Sequence, residues 1–398
     1  MSAGPPFAPI PSAPIPSADA GAAPHANGIL TIDLDALAGN WRWLRDRLRP
    51  GAACAGVIKA NGYGLGDTTV ARALVGAGCR TFFVAQLDEG LRVAPTLPRD
   101  CRLFVLSGPT PGTEAAFTDA GLIPVLNSRE QIDGWAAHAR AHVPGAPAAI
   151  HVDTGMTRLG LTPAELEALR RDRRALEPFT PVLVMSHLAC ADMPGHPMNA
   201  QQLKAFAAVR EAFPGVPGSL ANSSGVFLGS DAHHDLARPG VALYGVNPTP
   251  GRPNPMAAVV RLQARILQVR HVDAPVAVGY GASHRSAAGS RIATAGVGYA
   301  DGLPRACSGR ITGYIGETPV PLVGRVSMDL VTFDVSAVPE TRPVRPGDLI
   351  DLIGPHNPVD DLAARAGTIG YEILTALGFR YARRSLGGDA PGGGTERT

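Results

Sequence analysis

The feature that most constrains this chain is a rhythm. From residue 55 onward eight short apolar runs recur in series, at 55–60, 81–85, 102–106, 123–126, 148–152, 182–187, 219–222 and 241–244, most of them separated by enough residues for a helix. Short apolar runs alternating with helical stretches read as βα units, and eight of them within about 190 residues match the count and size of a (β/α)8 barrel. Some intervening helices announce their ends. Thr162-Pro163-Ala164-Glu165 supplies an N-cap, a proline at the first helical position and an acidic first turn, and the pattern from Gln202 to Phe213 stops at Pro214-Gly215. A doubly wound open sheet is the rival. It predicts fewer strands and a glycine-rich phosphate loop after the first, which Asn61-Gly62-Tyr63-Gly64-Leu65-Gly66 matches poorly.

Ahead of the rhythm, Ile29-Leu30-Thr31-Ile32 reads as a strand, with Asp33 or Asp35 capping a helix whose apolar face is Leu37, Trp41, Leu44 and Leu48. Beyond about Pro255 the texture changes to strand-like runs at 261–269, 291–297, 311–315, 320–323, 330–335 and 349–353, broken by Gly/Pro/Asp turns. The expected fold class is therefore α/β, an N-terminal (β/α)8 TIM-type barrel over residues 29–250 followed by a mostly-β domain over 251–384. Residues 1–28, where Ala8-Pro9-Ile10-Pro11-Ser12 repeats as Ala13-Pro14-Ile15-Pro16-Ser17, read as a disordered extension, and 385–398 as a Gly-rich disordered tail.

Composition narrows the function classes. At 398 residues the chain has material for two domains, and it contains no run of eighteen apolar residues that would cross a membrane. A net charge of +2, spread along the chain, points to neither nucleic acid nor an anionic membrane as partner. Five scattered cysteines without a C-x-x-C pair fit a reducing, cytoplasmic setting and no structural metal site. Only two lysines occur, Lys59 and Lys204.

The polar residues near strands lie mostly at their carboxyl ends, where barrels hold their sites. Lys59 and Tyr63 follow the first run, Asp153 to Arg158 the fifth, His187 the sixth and Asn222-Ser223-Ser224 the seventh, while Arg238-Pro239-Gly240 leads into the eighth. Taken singly, each also reads as an ordinary feature: a surface lysine beside a turn, a hydrogen-bonded histidine, a Ser/Gly loop. Together they offer an amine, a histidine, small hydroxyls, glycine amides and an arginine. That set suits a phosphorylated aldehyde, which a lysine captures as a Schiff base while hydroxyls and backbone N–H groups hold its phosphate.

At this point Val57-Ile58-Lys59-Ala60-Asn61-Gly62-Tyr63-Gly64 resembles the cofactor-lysine motif of the alanine racemases, fold-type III pyridoxal-phosphate enzymes. The similarity continues in order through Asp153-Thr154-Gly155-Met156-Thr157-Arg158-Leu159-Gly160, Ser186-His187-Leu188, Ala221-Asn222-Ser223, Arg238-Pro239-Gly240-Val241-Ala242-Leu243-Tyr244-Gly245, Gly279-Tyr280-Gly281, Gly298-Tyr299-Ala300-Asp301-Gly302, Gly324-Arg325-Val326-Ser327-Met328-Asp329 and Tyr371-Glu372. The resemblance implies pyridoxal 5'-phosphate as cofactor, bound covalently by Lys59, which also serves as one base. It implies Tyr280 as the second base, contributed across a head-to-tail homodimer interface. Tyr63, Asn222, Ser223, Gly240, Val241 and Tyr371 match cofactor or phosphate positions, Arg238 faces the pyridine nitrogen, and His187 supports the ring region. Arg158, Met328, Tyr299 and Asp329 match substrate-binding or entrance positions.

The implied reaction is two-base racemisation of L- and D-alanine, for peptidoglycan supply or alanine catabolism. Inversion at Cα needs proton removal on one face and delivery on the other, hence two bases. The other readings are a broad-spectrum or serine racemase, another fold-type III activity such as a decarboxylase, and a non-catalytic cofactor carrier. The carrier proteins lack a β domain with a residue like Tyr280. One position departs from the pattern. Many family members carry a lysine two residues before the Asp-Thr-Gly-Met motif, modified to a carbamate that orients the substrate arginine, whereas this chain has His151 there. What orients Arg158 is left open by the sequence.

Overall fold

A computed structural model describes residue 10, residues 14–18 and residues 23–388 of the chain. The tail expectation over 389–398, and much of that over 1–28, falls outside the described residues. The chain divides into two compact units, one built on Leu37–Leu243 with Asn247–Met256, the other on residues 14–18, 23–36, Tyr244–Val246 and 257–388.

In the first unit seven strands, Gly56–Val57, Thr81–Val84, Arg102–Val105, Ile123–Leu126, Ala146–His151, Phe179–Met185 and Gly218–Ser219, pair in parallel, each with the next. Helices Asp67–Ala77, Leu87–Val93, Glu114–Asp119, Arg129–His142, Pro163–Arg171 and Pro197–Ala212 alternate with them. Helix cover on the outer face leaves most residues of these strands buried, which is why they read as apolar runs: Phe82, Phe83, Val84, Phe104 and Val105 have no exposed surface. Phe83 and Phe104 stack with ring centroids 4.7 Å apart. The helix ends follow the local signals, and Thr162 and Glu165 form the reciprocal capping box that their spacing encodes.

The eighth strand is not where the apolar run placed it. Residues 241–244 form a buried 3₁₀ turn, Val241–Tyr244, and the closing strand is Leu236–Ala237. It pairs in parallel with Ala53–Cys54, receives bonds from Ala53, Ala55 and Val57 N–H at 2.9–3.0 Å on one edge, and donates from Asp235 and Arg238 N–H to Gly218 and Ala221 carbonyls on the other. The ladder of eight strands thereby closes. A two-residue strand ending in Arg-Pro-Gly carries almost no periodic signal, and an apolar quartet buried on all sides gives the same signal as a strand or a helix.

The second unit is built on antiparallel strands. Arg291–Ala295, Val331–Asp334, Thr318–Val323, Thr312–Ile315, Leu349–Ile353 and Val260–His271 pair in that order, and Val260–His271 returns to pair with Arg291–Ala295, closing a ring of six. Gly28–Asp33 extends this sheet, antiparallel to Val260–Ala264 and parallel to Ala382–Leu386. Residues 29–33 thus belong to the β unit, not to the barrel expected over 29–250, and residues 385–386 continue a strand instead of opening a tail. The apolar run shows a buried strand but not its partners, which lie more than two hundred residues away. Asp33 is the helix cap, its Oδ1 accepting from Ala36 N–H at 2.8 Å.

Residues 14–18 also depart from the disordered extension. Ile15 and Ala18 are buried. Ala18 N–H donates to Gln263 Oε1 at 2.9 Å, Gln263 Nε2 donates to Ser17 Oγ at 2.8 Å, and Arg261 Nη1 donates to the Ile15 carbonyl at 2.6 Å. Asp351 completes the network by accepting from Arg261 at 2.7 Å and from Gln263 at 2.8 Å. Composition alone cannot show that two small apolar residues among the prolines find a polar dock. Replacing Ile15 by Ser empties that contact, and we expect a loss of about 2 kcal/mol in the unfolding free energy, with early proteolytic clipping before residue 23. Unchanged denaturant midpoints and clipping rates would show the contact to be unimportant.

Candidate active site

Lys59 follows the strand Gly56–Val57 and opens a turn of the wrong hand. Ala60, Asn61, Gly62 and Tyr63 have φ between 52° and 59°, and Gly64 reaches 83°. Gly62 N–H donates to the Ile58 carbonyl at 2.9 Å and Gly64 N–H to the Ala60 carbonyl at 2.8 Å, so the segment is one turn of left-handed helix. Such backbone costs on the order of 1–2 kcal/mol per non-glycine residue, and three of these residues are not glycine. It persists because its surroundings fix it. Glu89 accepts from Ala60 N–H at 2.6 Å and, with its other oxygen, from Ala85 and Gln86 N–H at 2.7 and 3.1 Å, tying together two strand ends. Asn61 Oδ1 accepts from Asp67 N–H at 3.2 Å, and the buried Asp67 carboxylate pairs with Arg92 at 2.6 Å.

The seventh and eighth strand ends build a cradle. Ser223 Oγ accepts from the N–H groups of Gly240 at 2.9 Å and Ala242 at 3.2 Å. Any side chain at Gly240 would collide with the Tyr63 hydroxyl and press on Val57, so glycine is what lets the phenol reach this point. Asn222 Oδ1 accepts from Gly225 N–H at 2.9 Å and starts the 3₁₀ turn Ser224–Phe227 behind the cradle, while Val241 is buried at the head of the next.

Arg238 lies fully inside the barrel, its guanidinium 5.9 Å from the Phe83 ring centroid. It donates to Ser219 Oγ, to the Ser186 carbonyl at 2.6 Å and to His187 Nδ1 at 3.4 Å, with no carboxylate partner among the described residues. Burial lowers its pKa to about 9, which leaves it a cation at neutral pH. Its charge reaches its neighbours. Burial first, then Arg238 and Arg158, push His187 well below its usual range and His151 down to about 4. Lys59 is lowered by burial and by Arg158, with Glu89 opposing. Lowered in this way, the amine more readily becomes the neutral form that acts as nucleophile or base.

Arg158 is exposed on the loop after Ala146–His151. Asp153 shapes that loop, accepting from the N–H groups of Gly155, Met156 and Thr157 at 2.8–3.0 Å. In the second unit, Tyr299 N–H donates to the Ser327 carbonyl and Ala300 N–H to that of Met328, both at 3.0 Å, which brings Tyr299 and Met328 together. Asp329 pairs with Arg380 at 2.8 Å, and Arg380 also meets Asp301 at 3.1 Å. Tyr280 sits in a 3₁₀ turn between Gly279 and Gly281, both at positive φ, and Tyr371 lies on helix Gly370–Thr375.

The first unit's set fits pyridoxal phosphate on its own geometry: an amine with lowered pKa, a cradle of hydroxyls and backbone N–H groups that leaves no room for a Cβ at Gly240, and a buried cation. Comparison with known proteins then decides the kinship. The alanine racemase N-terminal domain model matches residues 32–248 and the alanine racemase C-terminal domain model residues 259–385. This chain belongs to the alanine racemase family. It is 61% identical to "Alanine racemase" of Rhodospirillum rubrum over 93% of this chain and 98% of that protein, and 50% identical to "Alanine racemase, catabolic" of Mesorhizobium japonicum over 91% and 94%. The crystal structure of alanine racemase from Bartonella henselae with covalently bound pyridoxal phosphate aligns with a TM-score of 0.87 at 41% identity, covering 91% of this chain and all of that one.

Within that family frame, the first unit of this chain holds Lys59, Tyr63, Arg158, His187, Asn222, Ser223, Arg238, Gly240 and Val241, and the second unit holds Tyr280, Tyr299, Met328, Asp329 and Tyr371. The sequence reading missed Glu89, Ser186, Ser219 and Asn127, which act through backbone groups or through another side chain and carry no motif of their own.

Two predictions follow from this geometry. Glu89→Ala removes the acceptor of three N–H groups and should cost about 1–3 kcal/mol in chemical denaturation; an unchanged midpoint would mean the left-handed turn holds itself. The second concerns acid. His151 is harder to protonate when folded than when unfolded, so between pH 6.5 and about 4 the unfolded chain binds the extra proton and stability falls as pH falls. At about 1.4 kcal/mol per pH unit the fall from 6.5 to about 4 corresponds to roughly 3 kcal/mol, to which His187 adds in the same direction. His151→Gln should flatten this slope for the cofactor-free protein, and an equally steep slope in the variant would place the acid lability elsewhere.

Proposed function

We propose that this protein binds pyridoxal 5'-phosphate through Lys59 and interconverts L- and D-alanine by two bases. The observation that carries the reading is Lys59 itself, a half-buried amine with lowered pKa, two residues beyond Val57, which packs on the cradle of Tyr63, Ser223 and Gly240. When bound, the cofactor supplies an electron sink that makes the Cα proton of an amino acid removable. Tyr63, Ser223 and the N–H groups around Gly240 and Val241 hold its phosphate, with Tyr371 as a further ligand, and Asn222 braces the loop behind them. Arg238 presents a permanent donor to the ring nitrogen, and His187, hydrogen-bonded to Arg238, supports the ring. Arg158 binds the substrate carboxylate, while Tyr299, Met328 and Asp329 line the approach.

Neutral Lys59 takes or returns the Cα proton on one face. Tyr280 serves the other face, from a second copy of the chain. The second unit is compatible with such pairing: Tyr280 is 73% exposed, and Phe379, Ile369 and Met328 are also largely exposed. We place the reaction in the cytoplasm, in keeping with five unpaired cysteines and with the lack, among the described residues, of a helix long and apolar enough to cross a membrane.

The test is a panel of amino acids with chiral product analysis on the full-length protein incubated with the cofactor. Alanine should racemise, and the protein should show a lysine-dependent cofactor absorbance band that Lys59→Ala abolishes. Preference for serine or basic amino acids, or release of CO₂, would overturn the alanine reading. Mixed after co-refolding, the inactive Lys59→Ala and Tyr280→Phe proteins should recover up to about a quarter of wild-type activity, because a two-fold dimer of the two leaves one intact site. No recovery would remove Tyr280 from a shared site.

A further inference from the structure

The imidazole of His151 is held in one tautomer by a chain of contacts that begins two strands away. Asn127 Nδ2 donates to the Leu106 and Val125 carbonyls at 3.0 and 2.8 Å, which fixes the orientation of its amide and leaves Oδ1 as the acceptor. His151 Nδ1 lies 2.8 Å from that Oδ1. Nδ1 therefore carries the proton, and in the neutral ring Nε2 is left with a bare lone pair. Nε2 makes no hydrogen bond to any described residue.

The charged groups acting on this ring are Arg238 and Arg158, with Asp153 opposing, and burial and the two arginines keep the ring neutral. A neutral acceptor among cations calls for a donor that stays protonated. Arg238 is engaged by Ser219, Ser186 and His187. Arg158 makes no hydrogen bond to a described residue, and the Asp153 carboxylate that might have neutralised it is already engaged with the N–H groups of Gly155, Met156 and Thr157. The loop that carries Arg158 is also tied to His151 directly. Leu161 N–H donates to the His151 carbonyl at 2.8 Å, Asp153 N–H donates to the Leu161 carbonyl at 3.0 Å, and Gly155, Thr157 and Gly160 at positive φ fold the intervening residues back over the strand end.

We propose that His151 is a positioning residue whose Nε2 accepts a hydrogen bond from the Arg158 guanidinium and aims it at the carboxylate of the amino-acid substrate, an inference that rests on the proposed racemase reading. The acceptor is uncharged, so it orients the guanidinium without cancelling the charge that attracts the carboxylate. It also needs no modification with CO₂ to function.

Glutamine places its amide oxygen near the position of Nε2, whereas asparagine reaches only as far as Nδ1. His151→Asn should raise KM for alanine about tenfold with kcat within about threefold, and His151→Gln should restore KM most of the way. Acetate, a carboxylate without an amine, should lose affinity in parallel when titrated against the holoenzyme, while the cofactor absorbance band stays where it is. In an Arg158→Lys background His151→Asn should have little further effect on KM or on acetate binding. Equal KM and acetate affinity in wild type and His151→Asn, equal damage from Gln and Asn, or purely additive effects with Arg158→Lys would overturn the inference. Wild-type protein that neither takes up the cofactor nor racemises alanine would instead overturn the functional reading beneath it, and this inference with it.

Discussion

A guanidinium buried without a carboxylate organises the first unit. Arg238 closes the barrel through its own N–H to the Ala221 carbonyl, and its side chain then occupies the interior over Phe83. Burying a cation is costly unless its donors meet acceptors, and here a hydroxyl, a main-chain carbonyl and an imidazole accept three hydrogen bonds from it. None of these partners cancels the charge. It therefore acts on everything near it, lowering His187, His151 and Lys59 together. A carboxylate in its place would oppose the lowering that burial causes at each of them and would favour the protonated lysine.

The second constraint is the left-handed turn behind Lys59. Its strain is the reverse of what a stable fold needs, and it sits where chemistry is expected. The strain has a geometric use, because it turns Tyr63 back under Gly240 within four residues of Lys59, which a right-handed helix starting at the same residue would not do. Glu89 is the tie that makes the geometry affordable, joining two strand ends through three N–H groups.

These features explain what the sequence disclosed and what it hid. Seven barrel strands were legible because most of their residues are buried and therefore mostly apolar. The eighth was hidden, since Leu236–Ala237 is too short to show a period and Val241–Tyr244 mimicked it. Ile29–Ile32 was legible as a strand but not as part of the β unit, because hydrogen-bond partners at 260–264 and 382–386 leave no local trace. Lys59 stood out by its place at a strand end and by the scarcity of lysine. The hand of its turn did not, since Ala60, Asn61 and Tyr63 in succession are not a signal for positive φ. Glu89 and Asn127 were hidden for a related reason: each acts on backbone groups or on one ring nitrogen, and a carboxylate or amide on a helix or loop looks the same whatever it holds.

The charge left over at the strand ends points to the ligands. Lys59, Arg158 and Arg238 gather there, and the two nearby carboxylates, Glu89 and Asp153, are both engaged with backbone N–H groups. Carboxylates held that way shape loops and damp the surrounding positive potential without pairing any one cation. A site of this kind favours anions, and it offers them at two different points: N–H groups and hydroxyls at Ser223 and Gly240, suited to a phosphate, and an exposed guanidinium at Arg158, suited to a carboxylate. A phosphorylated cofactor and an amino acid carry those two groups. Burial and the neighbouring arginines also lower the pKa of Lys59, so the same field that attracts both ligands eases the loss of a proton from the amine that must act on them.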